Sequence, residues 1–123
     1  MHSGFHDALL HNFSFDLMTR KVRFRLEVCV GDPTSEDPDL RDAYRHAELA
    51  LTGVRYLIID PPDEKYPQWK SPLALDLCEA DIAITSKLGI TSGAFAARFY
   101  SPHLNGFMHF EATDSSLVYG DLA

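Results

Sequence analysis

Residues 9–30 read LLHNFSFDLMTRKVRFRLEVCV, and their alternation of apolar and polar side chains decides the fold class. From Val22 to Val30 every second residue is apolar, and Arg23, Arg25 and Glu27 stand between them. A period of two is typical of a β-strand with one face in the core and the other in water. The preceding run, residues 9–17, has the same period, which predicts an antiparallel hairpin with a short polar turn.

The same alternation recurs along most of the chain. Turn signals separate further short runs at 54–59, 73–84, 95–100, 107–112 and 115–119. We expect residues 73–84 to form one bent strand or two short ones, and 115–119 to form a short edge strand. Seven to nine short strands predict a mainly β fold, either a single antiparallel β-sandwich or a strongly bent sheet. Residues 1–123 are expected to form a single domain.

One segment, residues 40–53, fits two patterns. Leu40, Tyr44 and Leu51 lie on a helical repeat that Gly53 could end. Ala47, Leu49 and Leu51 also alternate with more polar neighbours, which favours a strand over the second half. A short helix near 40–50 therefore stays open as an alternative.

Charge limits the classes of partner. The 123 residues include 11 Lys and Arg against 18 Asp and Glu, for a net charge of -7. Binding to nucleic acid or to an anionic membrane needs the opposite sign, whereas a basic protein partner is allowed. No apolar run approaches the roughly 20 residues of a membrane span. The N-terminus lacks the features of a signal peptide, so we expect a cytoplasmic protein with Cys29 and Cys78 reduced and unpaired.

No common catalytic motif occurs in the sequence, such as HExxH, a P-loop or GxSxG. We therefore predict no catalytic residue and no cofactor, and favour a role that is not enzymatic. His6 and Asp7 form a dipeptide in which the carboxylate could orient the imidazole for metal binding or acid–base work. Asp7 could equally satisfy backbone donors at a turn. A small-ligand or metal-binding β domain is accordingly the alternative function.

Other histidines and carboxylates have simpler explanations. The alternation places His11 among apolar residues, which predicts a core histidine, and His109 is predicted to face solvent or a neighbouring strand. The nearby carboxylates of Asp60 and Asp63 resemble the pair that a glycosidase needs, as do those of Glu79 and Asp81. An acidic protein offers such pairs by chance.

Two loops are candidate binding surfaces. Tyr66 and Trp69 lie in a proline-rich loop, where such side chains serve as binding anchors, although Trp69 could instead cap one end of the sheet. Asp37 and Asp39 belong to an acidic loop, residues 32–42, which either meets cations of a partner or is only solvated. An exposed edge strand would also permit a homodimer.

Three stretches carry a resemblance to a known group of proteins: FHDA at 5–8, TGVRYL at 52–57 and NGFMHFEA at 105–112. Together they resemble small uncharacterised bacterial proteins, all or mostly β, some of them grouped with immunity proteins of polymorphic toxin systems. The resemblance implies a compact β domain that binds a partner protein, and it supplies no catalytic residue. The first functional hypothesis is thus a non-enzymatic, immunity-like protein-binding module.

Overall fold

The computed structural model describes residues 8–31, 34, 36–38, 43–61, 63–65 and 71–122. They form one antiparallel sheet of eight strands with one helix, which confirms the predicted mainly β fold. The elements are β1 (Ala8–Asp16), β2 (Lys21–Cys29), β3 (Tyr44–Thr52), β4 (Tyr56–Ile59), β5 (Leu73–Glu79), α1 (Ile82–Leu88), β6 (Phe95–Ser101), β7 (Gly106–Ala112) and β8 (Asp114–Leu122).

The sheet has the order β4-β7-β6-β5-β1-β2-β3-β8 and is folded over on itself. Its two outermost strands, β4 and β8, continue the chain from β3 and β7, so that β3–β4 and β7–β8 form one long ribbon. Pairing passes from Thr52–Asp114 to Tyr56–Glu111 with one extra residue on the β3–β4 side. Such a bulge bends and twists a ribbon. The half β4-β7-β6-β5 therefore faces the half β1-β2-β3-β8.

The core lies between these two halves and is organised by phenylalanine rings. Phe24 of β2 and Phe99 of β6 have ring centroids 5.5 Å apart, and Phe99 is 5.5 Å from Phe110 of β7. All three are fully buried. The apolar residues of β2 also all face the core, as their period of two predicts. Cys29 and Cys78 carry free thiols.

The prediction of a core histidine at His11 is wrong. Pairing of β1 with β2 shifts by one residue between Leu10 and Asn12, and such a shift exchanges the two faces of a strand. Ala8 and Leu10 face the core before this bulge, and Phe13 packs against the core after it. His11 is left on the outer surface, where its ring hydrogen-bonds to Glu27.

Two secondary-structure predictions are also corrected. Residues 82–88 form α1 and not a strand, because Asp81 caps the helix by accepting a hydrogen bond from the Ala83 backbone N–H at 2.9 Å, and Gly89 ends it at φ 69°. Tyr44–Thr52 is the strand β3, so the helical alternative is wrong over those residues. In addition, β8 has nine residues and is not the short edge strand expected. No helix in the described ranges is both long and apolar enough to span a membrane.

Gly53 occupies the point where the ribbon bends. Its φ is +62°, and a Cβ there would lie 2.2 Å from the Thr113 Oγ1. Gly93 also has a positive φ, +81°, but a Cβ there would meet nothing within 4 Å. The two glycines thus share the backbone requirement and differ in the space around them.

We predict that Gly53→Ala destabilises the protein more than Gly93→Ala. Both substitutions carry the cost of a left-handed alanine, roughly 1–2 kcal/mol. Gly53→Ala adds a collision with Thr113, which should lower the free energy of unfolding by about 1–3 kcal/mol more. Urea denaturation of both variants measures the difference. Equal losses would show that the bend has room for a side chain.

Candidate functional site

Only one of the six predicted binding residues, Asp37, lies within the described residues. It is exposed in the connection between β2 and β3. Tyr66, Trp69, Asp39, His6 and Asp7 lie outside the described residues, and their roles remain predictions. The candidate site is therefore built from other side chains.

Two connections meet at one end of the half-sheet β4-β7-β6-β5. Residues 60–61 and 63–65 follow β4, and the turn 102–105 joins β6 to β7. Backbone hydrogen bonds tie them together: the Asp60 N–H donates to the Phe107 carbonyl at 2.9 Å, and the Asp63 N–H donates to the Leu104 carbonyl at 3.0 Å. The two connections consequently form a single ordered surface.

Side chains of β6 and of the turn, together with one backbone N–H, hold the carboxylate of Asp63 in place. Tyr100 donates its hydroxyl to the Asn105 side-chain oxygen at 2.8 Å, and the Asn105 amide donates to Asp63 Oδ2 at 3.0 Å. The Lys65 backbone N–H donates to Asp63 Oδ1 at 2.9 Å. The hydrogen bonds from Lys65 and then Asn105 lower the pKa of Asp63, because both favour its ionised form. Asp63 therefore presents a charge in a fixed position.

Asp60 is held in a comparable way. Its carboxylate accepts a hydrogen bond from the Phe107 backbone N–H at 3.2 Å and contacts the His109 Nε2 at 3.0 Å. The sequence predicts that His109 faces solvent or a neighbouring strand. His109 contacts Asp60, which directly follows the neighbouring strand β4, and it does not face solvent, since it is 4 % exposed. Its Nδ1 has no hydrogen-bond partner among the described residues.

We call Asp60, Asp63, Glu64 and Asp76 the acidic surface. Asp76 belongs to it because it pairs with Tyr100, which pairs in turn with Phe107 beside Asp60. The cation of Arg98 lies 4.0 Å from the centre of the Phe107 ring and 3.5 Å from the Asp81 carboxylate. Because Arg98 already has a carboxylate partner, it neutralises the acidic surface only in part.

A buried ion pair supports the same half-sheet from the other end of β7. Glu111 is 1 % exposed and accepts two hydrogen bonds from Arg55, at 2.6 and 2.9 Å. Arg55 also donates to the carbonyl oxygens of Leu88 and Gly89 at the end of α1. The guanidinium therefore joins α1 to the outer face of the sheet. Its hydrogen bonds lower the pKa of Glu111 despite burial.

The outer face of the other half-sheet has the opposite character. Lys21, Arg23 and Arg25 alternate along β2 on the side away from the core. Across this face runs a groove of about 530 Å³, lined by His11 and His46 among others. The ring centroids of these histidines are 6.3 Å apart. Within the described ranges, however, no three His, Cys, Asp or Glu side chains are arranged to hold a metal ion.

No protein-family model matches the sequence, and no curated protein or solved structure is significantly similar to it. The resemblance to immunity proteins therefore remains an expectation.

Sequence reasoning missed the residues that organise this half-sheet. The sequence marks Asp60 and Asp63 only as a possible catalytic pair, and it marks Asn105 only as part of the stretch 105–112 that carries the resemblance. The sequence offers one local signal, which is the asparagine itself. Asparagine tolerates a positive φ well, and Asn105 has a φ of 46°. Nothing local connects Glu111 with Arg55, because the pair depends on the alignment of β4 with β7.

We predict that Glu111→Gln lowers the free energy of unfolding at neutral pH by about 2 kcal/mol, because Arg55 loses its charged acceptor. A lowered folded-state pKa means that the unfolded protein binds more protons in acid. The stabilising contribution of Glu111 is thus present above the ordinary glutamate pKa, about 4.3, and is lost as the pH falls through the lower folded-state value.

Urea denaturation over a pH series tests this prediction. The loss of stability below about pH 4.3 should be smaller for Glu111→Gln than for the wild type. Glu48→Gln is the control, since Glu48 is half-exposed and lies 3.7 Å from Arg23, a pair that should contribute little. Identical pH profiles for wild type and Glu111→Gln would contradict the assignment.

Proposed function

We propose that the protein is a non-enzymatic protein-binding module whose acidic surface binds a basic segment of another protein. The observation that carries the proposal is the fixed position of the Asp60 and Asp63 carboxylates, held by hydrogen bonds from two joined connections. An ordered charge loses little conformational freedom when it meets a partner. Each carboxylate also keeps acceptor capacity, because its two oxygens offer about four lone-pair sites.

The charge of the whole molecule supports a basic partner. The net charge of -7 attracts cations over a distance set by the ionic strength, and it accelerates encounter with a basic surface. Tyr66 and Trp69 follow the acidic segment directly in sequence, and their predicted role as anchors would add apolar contacts to it. The partner binding that the resemblance implies agrees with this proposal.

A displayed library of random peptides tests the proposal, with the full-length protein as bait. We expect the retained peptides to be rich in Lys and Arg and their affinity to fall as salt is added. Glu64→Lys should weaken binding of these peptides by roughly tenfold. Glu64 is suited to this change because it is exposed and no described contact depends on it.

The matched control is Glu48→Lys, which changes the net charge by the same amount on the outer face of β3. The affinity of Glu48→Lys for the retained peptides should stay within about twofold of the wild-type affinity. Retention of neutral or acidic peptides would overturn the proposal. Equal losses in the two variants would also overturn it, because they would show that total charge, and not the acidic surface, governs binding.

A further inference from the structure

β8 presents an open edge that is regular over its first six residues and has a register shift after Tyr119. It is the last strand in the sheet order, and within the described part of the chain it pairs only with β3. That pairing runs without a register shift from Asp114 to Tyr119. Val118 is 64 % exposed and Tyr119 is 46 % exposed. An edge of this kind offers unpaired backbone groups to another strand.

The usual protections of an edge are missing from this stretch. Residues 114–119 contain no proline, lysine or arginine, and Asp114 at the start is their one charged residue. Natural edge strands normally carry such residues, or a bulge, to prevent pairing. The sequence DSSLVY is thus suited to pairing along its length.

We propose that β8 pairs with β8 of a second copy of this chain, antiparallel and about a two-fold axis through Leu117. The axis must pass through a residue, because residues opposite one another in a continuous sheet lie on the same face. The proposed dimer is independent of the proposed function, since β8 belongs to the half-sheet that does not carry the acidic surface.

Side-chain size selects Leu117 among the possible centres. With the axis there, Ser116 lies opposite Val118 of the second copy, and Ser115 lies opposite Tyr119. Each large exposed side chain then meets a serine, and Asp114 meets Gly120. An axis through Ser116 would place Asp114 against Val118, and an axis through Val118 would place large residues against each other. Cross-strand pairs of this kind contribute to sheet stability.

Size and charge set the strength of the dimer. The six regular residues from Asp114 to Tyr119 make an edge about 20 Å long. Contact along one edge buries less surface than a standard stable interface, so we expect dissociation in the micromolar range. Two copies with a net charge of -7 also repel one another. Added salt screens that repulsion and should strengthen the dimer, which is the opposite of its expected effect on a basic partner.

Sedimentation of the full-length protein over a concentration and salt series tests the dimer. Val118→Lys should raise the dissociation constant by at least roughly tenfold. Ile82→Lys is the matched control, because Ile82 is 80 % exposed on α1 and the charge change is the same. Urea denaturation checks that both variants remain folded. A wild type that stays monomeric at high concentration and salt, or equal effects of the two variants, would overturn the proposal.

Cysteine cross-linking tests the register. On oxidation, Leu117→Cys should form a disulfide with its counterpart in the second copy, whereas Val118→Cys should not, because its counterpart lies two pairs away along the strands and is too distant for a disulfide. The wild type under the same treatment controls for Cys29 and Cys78. Cross-linking through Val118→Cys alone would overturn the proposed register. A monomeric wild type that still retains basic peptides would refute the dimer and leave the proposed function intact.

Discussion

The structure depends on the close passage of two strands at Gly53 and Thr113. A side chain at Gly53 would collide with Thr113, and the backbone there has a φ of +62° that favours glycine. The backbone N–H of Thr113 donates to the Thr52 carbonyl at 2.9 Å, so pairing continues through the bend. Because the ribbon bends without breaking, one continuous sheet supplies both walls of the core. Phe24 and Phe99, which are distant in sequence, can then pack together.

This arrangement leaves each half-sheet with an outer face, and the two faces differ in chemistry. Alternation along β2 places Arg23 and Arg25 in water. On the other half, His109 and Glu111 on the outward side of β7 are buried, because Asp60 reaches His109 and Arg55 reaches Glu111. Burying a carboxylate is costly unless hydrogen bonds compensate it. The bidentate contact with Arg55 supplies that compensation and also attaches α1 to the sheet.

Most of the fold could be predicted from the sequence, because apolar and polar side chains alternate with a period of two wherever a strand is regular. β2 follows the predicted alternation from Val22 to Val28, whereas Val30 lies beyond the end of the strand and is exposed. The failures arise where a local irregularity interrupts the period. The bulge after Leu10 turns His11 outward, and the capping by Asp81 converts an apolar run into α1. The alternation of side chains predicts on which side of a strand a residue lies, but it does not predict what covers that side.

The candidate site was less accessible to prediction for the same reason. Asp60, Asp63 and Asn105 are ordinary turn residues in the sequence, and they act together only because the ends of β4 and β6 lie on either side of the start of β7. Asp63 and Asn105 are far apart in the sequence, so their hydrogen bond could not be predicted from it. Tyr66 and Trp69 were singled out from residue type, which marks a candidate anchor but does not place it.

An open edge and a high negative charge are compatible within one small domain. An exposed strand invites unlimited association only if a second edge is available for the next copy. Here the other end of the sheet order is β4, which has four residues and is followed by Asp60 and Pro61. Proline cannot donate a backbone hydrogen bond, so that edge is a poor template. Two-fold pairing through β8 sets the same edge of each copy against itself, and a contact of this self-complementary kind closes the assembly at two.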